Sequence, residues 1–220
     1  DVLMFTMLVP PLLKEAKNLG IITYDRLSIL YKRSFPELEI YDTNDLKARN
    51  ISPSDWDAQV AIGSLPMLRY PEITDYKIVK PFLIVDSEIK SEFQDRYKNQ
   101  NSTSKLIGFG WKGGGNAKQK RTKSLDLQNM LPLFKIPNLI WISLQYGGVA
   151  DEIKEFNKNN NLNIINPIDV DPLRDMDRWC ALVSCCDQVI SAANTTIHGA
   201  GCMGIPTTVI LGRQSDWRWL

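Results

Sequence analysis

The sequence predicts a doubly wound α/β fold built in two successive parts, and three observations carry that prediction. The second half holds five short apolar runs, at 105–109, 139–144, 163–165, 188–191 and 207–211, each strand-sized and separated from the next by a segment of helical periodicity. The first half shows the same alternation of strand and helix, which favours parallel sheets covered by helices. Between the halves, residues 81–104 are irregular and end in the polar, glycine-free stretch KNQNSTS, a linker composition that sets the domains at 1–100 and 105–220.

In the first half the chain opens on an apolar helix running to about Asn18, with Gly20 as its C-cap. A strand at 21–24, a helix at 26–34 closed by Phe35-Pro36, a strand at 39–41 and a short strand at 59–62 follow. In the second half, helices are expected at 125–134, 151–157, 175–185 and 195–202, between the five strands. The opening helix has no strand before it and the chain stops at DWRWL, so the sequence reads as a fragment with both domains truncated at the chain ends.

Composition excludes several function classes. The 220 residues carry 26 Lys+Arg against 25 Asp+Glu, a net charge of +1, which gives no footprint for a nucleic-acid partner. No apolar run approaches the length of a membrane span. The start DVLMFTMLVPPLL lacks the basic leader and cleavage site of a signal peptide. Cys180, Cys185, Cys186 and Cys202 form no CxxC pair and have one histidine for company, so no metal site is expected; they read as buried, reduced thiols of a cytoplasmic protein.

In open α/β sheets ligands bind beyond the carboxyl ends of the strands, so the residues just after each strand are the candidates for chemistry. After the first strand of the second half come Gly110, Trp111, Lys112 and three further glycines, then a basic run that includes Arg121 and Lys123. Glycine lets the backbone approach a ligand, and the cations suit phosphate. The segment is neither a P-loop nor a dinucleotide fingerprint, which leaves an NAD-dependent oxidoreductase without support. The run LIWISL delivers Ser143 and, just past it, Gln145. Asp169 and Asp171 follow a short strand and suit sugar hydroxyls equally as they suit solvent. Asn194 or Thr195 can cap a helix that carries Thr196 and His198, and the free N–H groups of its first turn form a pyrophosphate site. The alternative for this last group is a plain helix cap with His198 packed on the sheet. Together these strand ends describe a site for a phosphorylated nucleotide.

The blocks IGFGWKGGG, RTKSL, ISLQYG, the DVD of 169–171, VISAANTTIHGAGCMGIPTTVIL and DWRW, spread over residues 105–219, resemble the glycosyltransferase domain attached to bacterial tetratricopeptide-repeat proteins, a group related to the ADP-heptose:lipopolysaccharide heptosyltransferases. The segments DVLMFTMLVPPL, RSFPELEI and AIGSLPML of the first half fit the same group. The resemblance implies a GT-B fold, two facing Rossmann-like domains with the nucleotide-sugar held mainly by the second. It implies a transfer without metal or other cofactor from a nucleoside-diphosphate sugar to a hydroxyl of an acceptor it does not name: a glycan, a lipid-linked glycan or a protein. It places the acceptor-activating carboxylate at Asp1, and the work in the cytoplasm, where the inner face of the membrane is one setting for it. The heptosyltransferases commonly carry an acidic residue five positions before the helix histidine, whereas this chain has Ala193. A catalytically inactive nucleotide- or sugar-binding module on the same fold is the alternative.

Overall fold

The computed structural model describes residues 2–42, 52–69, 72, 80–98, 103–213 and 219. The opening apolar segment is helical but broken: α1 (Val2–Phe5), a 3-10 turn (Thr6–Leu8) and α2 (Val9–Leu13). Pro10 and Pro11 cannot donate the N–H bonds of one continuous helix, yet they suit the first turn of a new one, and the helix ends five residues short of Asn18. A βαβ unit follows, with β1 (Gly20–Ile22), α3 (Asp25–Ser34) and β2 (Glu39–Tyr41), and the two strands pair in parallel.

The expected strand at 59–62 is absent: Gln59, Val60 and Ala61 are exposed, outside any strand, and lead into a 3-10 turn (Ile62–Ser64) and α4 (Leu65–Arg69). Left exposed, the run gains none of the burial that holds a strand. The segment read as irregular contains α5 (Ser87–Tyr97), whose cap Asp86 accepts from the N–H groups of Glu88 and Ile89 at 2.9 and 3.1 Å.

The second half supplies β3 (Lys105–Gly110), α6 (Ala117–Lys123), α7 (Leu127–Phe134), β4 (Leu139–Ser143), α8 (Ala150–Asn160), α9 (Met176–Ser184), β5 (Gln188–Ala192), α10 (Thr195–Cys202) and β6 (Thr207–Ile210). The sheet is all parallel in the order β4-β3-β5-β6, and Ile165 adds an isolated parallel bridge to Ile142 beyond β4. The expected strand at 163–165 is that single bridge. Counted along the chain, the order is 3-2-1-4-5, so the winding direction reverses between β3 and β5.

Both faces of this sheet are covered, and the alternation along β3 shows how. Ile107, Phe109 and Trp111 enter a cluster with Leu127, Met130, Phe134 and Trp141, while Leu106 enters a second cluster with Ile142, Leu144, Val189, Trp179 and Leu182. Gly108 lies on that second face, where an added Cβ would stand 2.5 Å from the Leu144 side chain. The same cluster takes in Leu3, Val9, Leu27, Leu30, Tyr31 and Phe93 from the first half. The two sheets are separate, but one apolar core joins the helices of both halves, with α9 packed on α3 and α5 and α10 packed on α1.

Polar contacts cross the same seam. Arg33 makes a two-pronged pair with Asp177 at 2.6 and 2.8 Å and reaches Asp86 at 3.3 Å. Arg178 pairs with Glu92 and with Asp169, which also takes Arg96. All four cysteines are buried and free.

Candidate functional site

The reversal point between β3 and β5 is where the expected residues converge. β3 ends at Gly110 directly beside Ser191 of β5, and a Cβ on Gly110 would stand 2.6 Å from Ser191 Oγ and 3.3 Å from Asn194 Nδ2. Only glycine lets the strand end approach this closely. Past it the backbone turns under Gln145, whose Oε1 accepts from the N–H groups of Trp111 and Lys112 at 3.1 and 2.8 Å. Ser143 Oγ, buried at the end of β4, accepts from the Gln145 N–H at 3.3 Å and so helps aim that side chain.

From the other side of the reversal, Asn194 caps α10, its Oδ1 accepting from Thr196 N–H at 2.9 Å. Its Nδ2 donates to the Lys112 carbonyl at 3.1 Å, so the cap and the glycine loop are one structure. That loop closes at its neck: Leu125 N–H donates to the Trp111 carbonyl at 2.7 Å, and Gly113 N–H donates to Ser124 Oγ at 3.0 Å. Helix α6, read from sequence as loop, occupies its far side and carries Arg121, exposed, and Lys123, whose stem lies against Gly113.

Gly110, Lys112, Ser143, Gln145, Asn194, Thr195 and Thr196 thus come together, while other candidates sit elsewhere. The Trp111 ring is fully buried, stacked on Phe109 with its Nε1 donating to Glu152, so at this site only its backbone takes part. Lys112 Nζ is paired with the same Glu152. Asp169 faces Arg96 and Arg178, whose bonds hold its carboxyl below the usual carboxylate range. Asp171 turns back on the chain, accepting from Leu173 N–H at 2.9 Å and pairing with Arg174. His198 stacks on Trp219, with ring centroids 5.3 Å apart. Asp1 lies outside the described residues.

Beside this assembly lies a small, solvent-open cleft. Met176 and Trp179 of α9 line it, with Pro172 and Leu173 from the preceding loop, and Tyr146, Thr195 and Thr196 bring the strand-end residues to it. The first half contributes Arg26, the second residue of α3. Sequence reading did not select Arg26, although its position just after a strand is the signal that singled out the other candidates. Among the described residues no group of three metal-ligating side chains occurs, and no helix is long and apolar enough to cross a membrane.

No protein-family model matches the chain. Its sequence is 25% identical over 229 residues to Protein FlbA of Caulobacter vibrioides, covering 98% of this chain and 38% of that protein. The chain therefore spans 38% of the length of the curated relative it matches. Two solved structures superpose on 98% of the chain at 12% identity each. E. coli ADP-heptose lps heptosyltransferase II gives a TM-score of 0.66 over 82% of its own chain. The glycosyl transferase family 9 protein from Veillonella parvula DSM 2008 gives 0.68 over 79% of its chain. The chain has the parallel-sheet α/β fold of these glycosyltransferase structures.

Proposed function

We propose that the chain is a glycosyltransferase module that binds a nucleoside-diphosphate sugar at the β3/β5 reversal and passes the sugar to an acceptor hydroxyl without a metal. The observation that carries the reading is the joint built by Asn194, which ties the start of α10 to the glycine-basic loop. A helix start presents unpaired N–H groups and a positive dipole end, and Arg121 and Lys123 on the adjoining helix α6 add cationic charge. The heptosyltransferase resemblance and the shared fold support the donor class, and on the same grounds the two halves are read as the facing domains of a GT-B enzyme, acting in the cytoplasm.

In this reading Asp1 takes the proton of the acceptor hydroxyl. The freed oxygen bonds to the anomeric carbon as that carbon's bond to the phosphate oxygen breaks, and the nucleoside diphosphate departs with both electrons of that bond. Its charge is met by the first-turn N–H groups of α10 that Asn194 leaves free, since the cap takes that of Thr196, and by Arg121 and Lys123 of α6. Replacing Asp1 by Asn is expected to lower turnover by roughly 10²- to 10⁴-fold with nucleotide affinity almost unchanged.

The binding half of the reading is tested by thermal and calorimetric titration with nucleoside diphosphates. At a hundredfold excess over Kd the protein should gain about 2.7 kcal/mol of stability, and free nucleosides should do much less. Equal shifts from both, or none from either, reject it. A second reading is a binding module without transfer, since fold does not fix function; Ala193, where the heptosyltransferases commonly carry an acidic residue, removes one of that family's ligand contacts. Release of sugar from nucleotide-sugars separates the two: the binding module takes up the nucleotide and turns over nothing.

A further inference from the structure

We propose that Arg26 is the residue through which the first half of the chain grips the phosphate group bound by the second half. This rests on the donor site proposed above and adds to it a contact from across the cleft. Arg26 occupies the second position of α3, where the positive end of the helix dipole disfavours a cation, so helix stability does not explain it. It lines the same cleft as Thr195 and Thr196.

The other arginines along this seam are matched with carboxylates: Arg33 with Asp177 and Asp86, Arg96 with Asp169 and Glu92, Arg178 with Glu92 and Asp169. Arg26 has no carboxylate among the described residues. One end of its guanidinium donates to the Pro172 carbonyl at 3.1 Å and its plane lies 5.4 Å from the Tyr24 ring centroid, while Nε is buried without a partner. Nor is Nε alone. The hydroxyls of Thr23 and Ser28, which flank Arg26 and belong to residues only 6% and 7% exposed, are also unpartnered.

Three of the four unpartnered buried side-chain polar atoms among the described residues thus fall within residues 23–28, at the start of α3, and of those three residues Arg26 is the one that lines the cleft. Buried donors and acceptors are normally paired, and a guanidinium fork suits two oxygens of one phosphate. The cleft's own composition supplies the other half of the argument: Thr195 and Thr196 at the start of α10 share its lining with the Arg26 side chain and with apolar Met176, Leu173 and Trp179. The ligand chemistry that satisfies both the helix start and the guanidinium is a phosphate. On the donor site this is the diphosphate, so Arg26 meets leaving-group charge from the acceptor side.

The test compares wild type, Arg26→Gln and Arg26→Lys by calorimetric titration with ADP, GDP, UDP, CDP, pyrophosphate and the four nucleosides. The urea midpoint of each ligand-free protein is measured in parallel. Arg26→Gln is expected to weaken pyrophosphate and the preferred diphosphate by roughly 10- to 100-fold and to leave nucleoside binding unchanged. Arg26→Lys keeps the charge but not the fork, so it should fall between the two and decides the matter if the Gln variant does not fold. Wild-type affinity for diphosphate and pyrophosphate in Arg26→Gln, or in Arg26→Lys where only that variant folds, overturns the role of Arg26 and leaves the donor site standing. Pyrophosphate binding that depends on Arg26, without binding of any nucleoside diphosphate, upholds the arginine and removes the glycosyltransferase reading. A wild-type protein that binds none of these anions overturns both.

Discussion

Asn194 holds two elements at once: its amide nitrogen donates to the Lys112 carbonyl at 3.1 Å and its amide oxygen accepts from Thr196 N–H at 2.9 Å. Ser191 Oγ, at the end of β5, adds a third contact to the same oxygen at 3.3 Å. A single side chain therefore links the glycine loop to the start of α10.

Replacing Asn194 by Ala should cost about 1–2 kcal/mol in urea denaturation, the usual loss of a helix cap. It should also weaken diphosphate binding, because the loop is released along with the cap. Asn194→Asp retains the capping oxygen but meets the Lys112 carbonyl with a second acceptor. Stability should recover in part and affinity should not, and full recovery of both would show that the Lys112 contact contributes nothing.

The close approach of β3 to β5 makes Gly110→Ala expensive. Its methyl would stand 2.6 Å from Ser191 Oγ, so a loss of about 1–3 kcal/mol is expected. Removing that hydroxyl in the Gly110→Ala/Ser191→Ala double variant should recover much of it, and a double-mutant cycle measures the coupling. Strictly additive losses would place the strain elsewhere.

Acid should loosen the junction of α5, α9 and the 166–172 loop first. The bond from Arg178 holds the Glu92 carboxyl below its ordinary value, and the bond from Arg96, then that from Arg178, does the same for Asp169. A carboxyl whose folded pKa is depressed contributes stability in full above its unfolded value and loses it as pH falls through the folded value. Urea midpoints should thus hold near neutrality and fall below about pH 4, with a shallower fall in Glu92→Gln. High salt should lower the neutral value only slightly, since exposed pairs contribute little.

The thiols should be inert. Burial raises all four, with Cys202 pushed up to about 12. The nucleophile is the thiolate, which is scarce under these conditions, and the helices also shield the sulfurs. A thiol reagent near neutral pH should label none of Cys180, Cys185, Cys186 and Cys202 in the native protein and all of them in denaturant. The thermal midpoint should not respond to reductant. Rapid native labelling would contradict the burial.

How much was legible in sequence follows from the range of the forces involved. The boundaries of α10 read directly because a cap residue and a polar-to-apolar switch are local signals, and β2 read directly for a similar reason. The break at Pro10-Pro11 was local too, and the cap Asp86 of α5 stood in plain view within a segment whose weak amphipathicity hid the helix. The burial of Trp111 follows the alternation of Ile107 and Phe109 along β3, a period-two pattern that the glycines around it obscured.

By itself the sequence determined the α/β class and, to within a few residues, four of the five strands and the four expected helices of the second half, though not α6 or the reduction of 163–165 to one bridge. These depend on periodicity, caps and glycines that act within a few residues. Only the tertiary structure decided which residues meet: Asn194 with Lys112, Asp169 with Arg96 and Arg178 rather than with the strand-end residues, and Arg26 in the lining of one cleft with Thr195. Sheet order and helix packing bring residues from distant parts of the chain together, and those contacts are set by burying one shared apolar core, which no local pattern encodes.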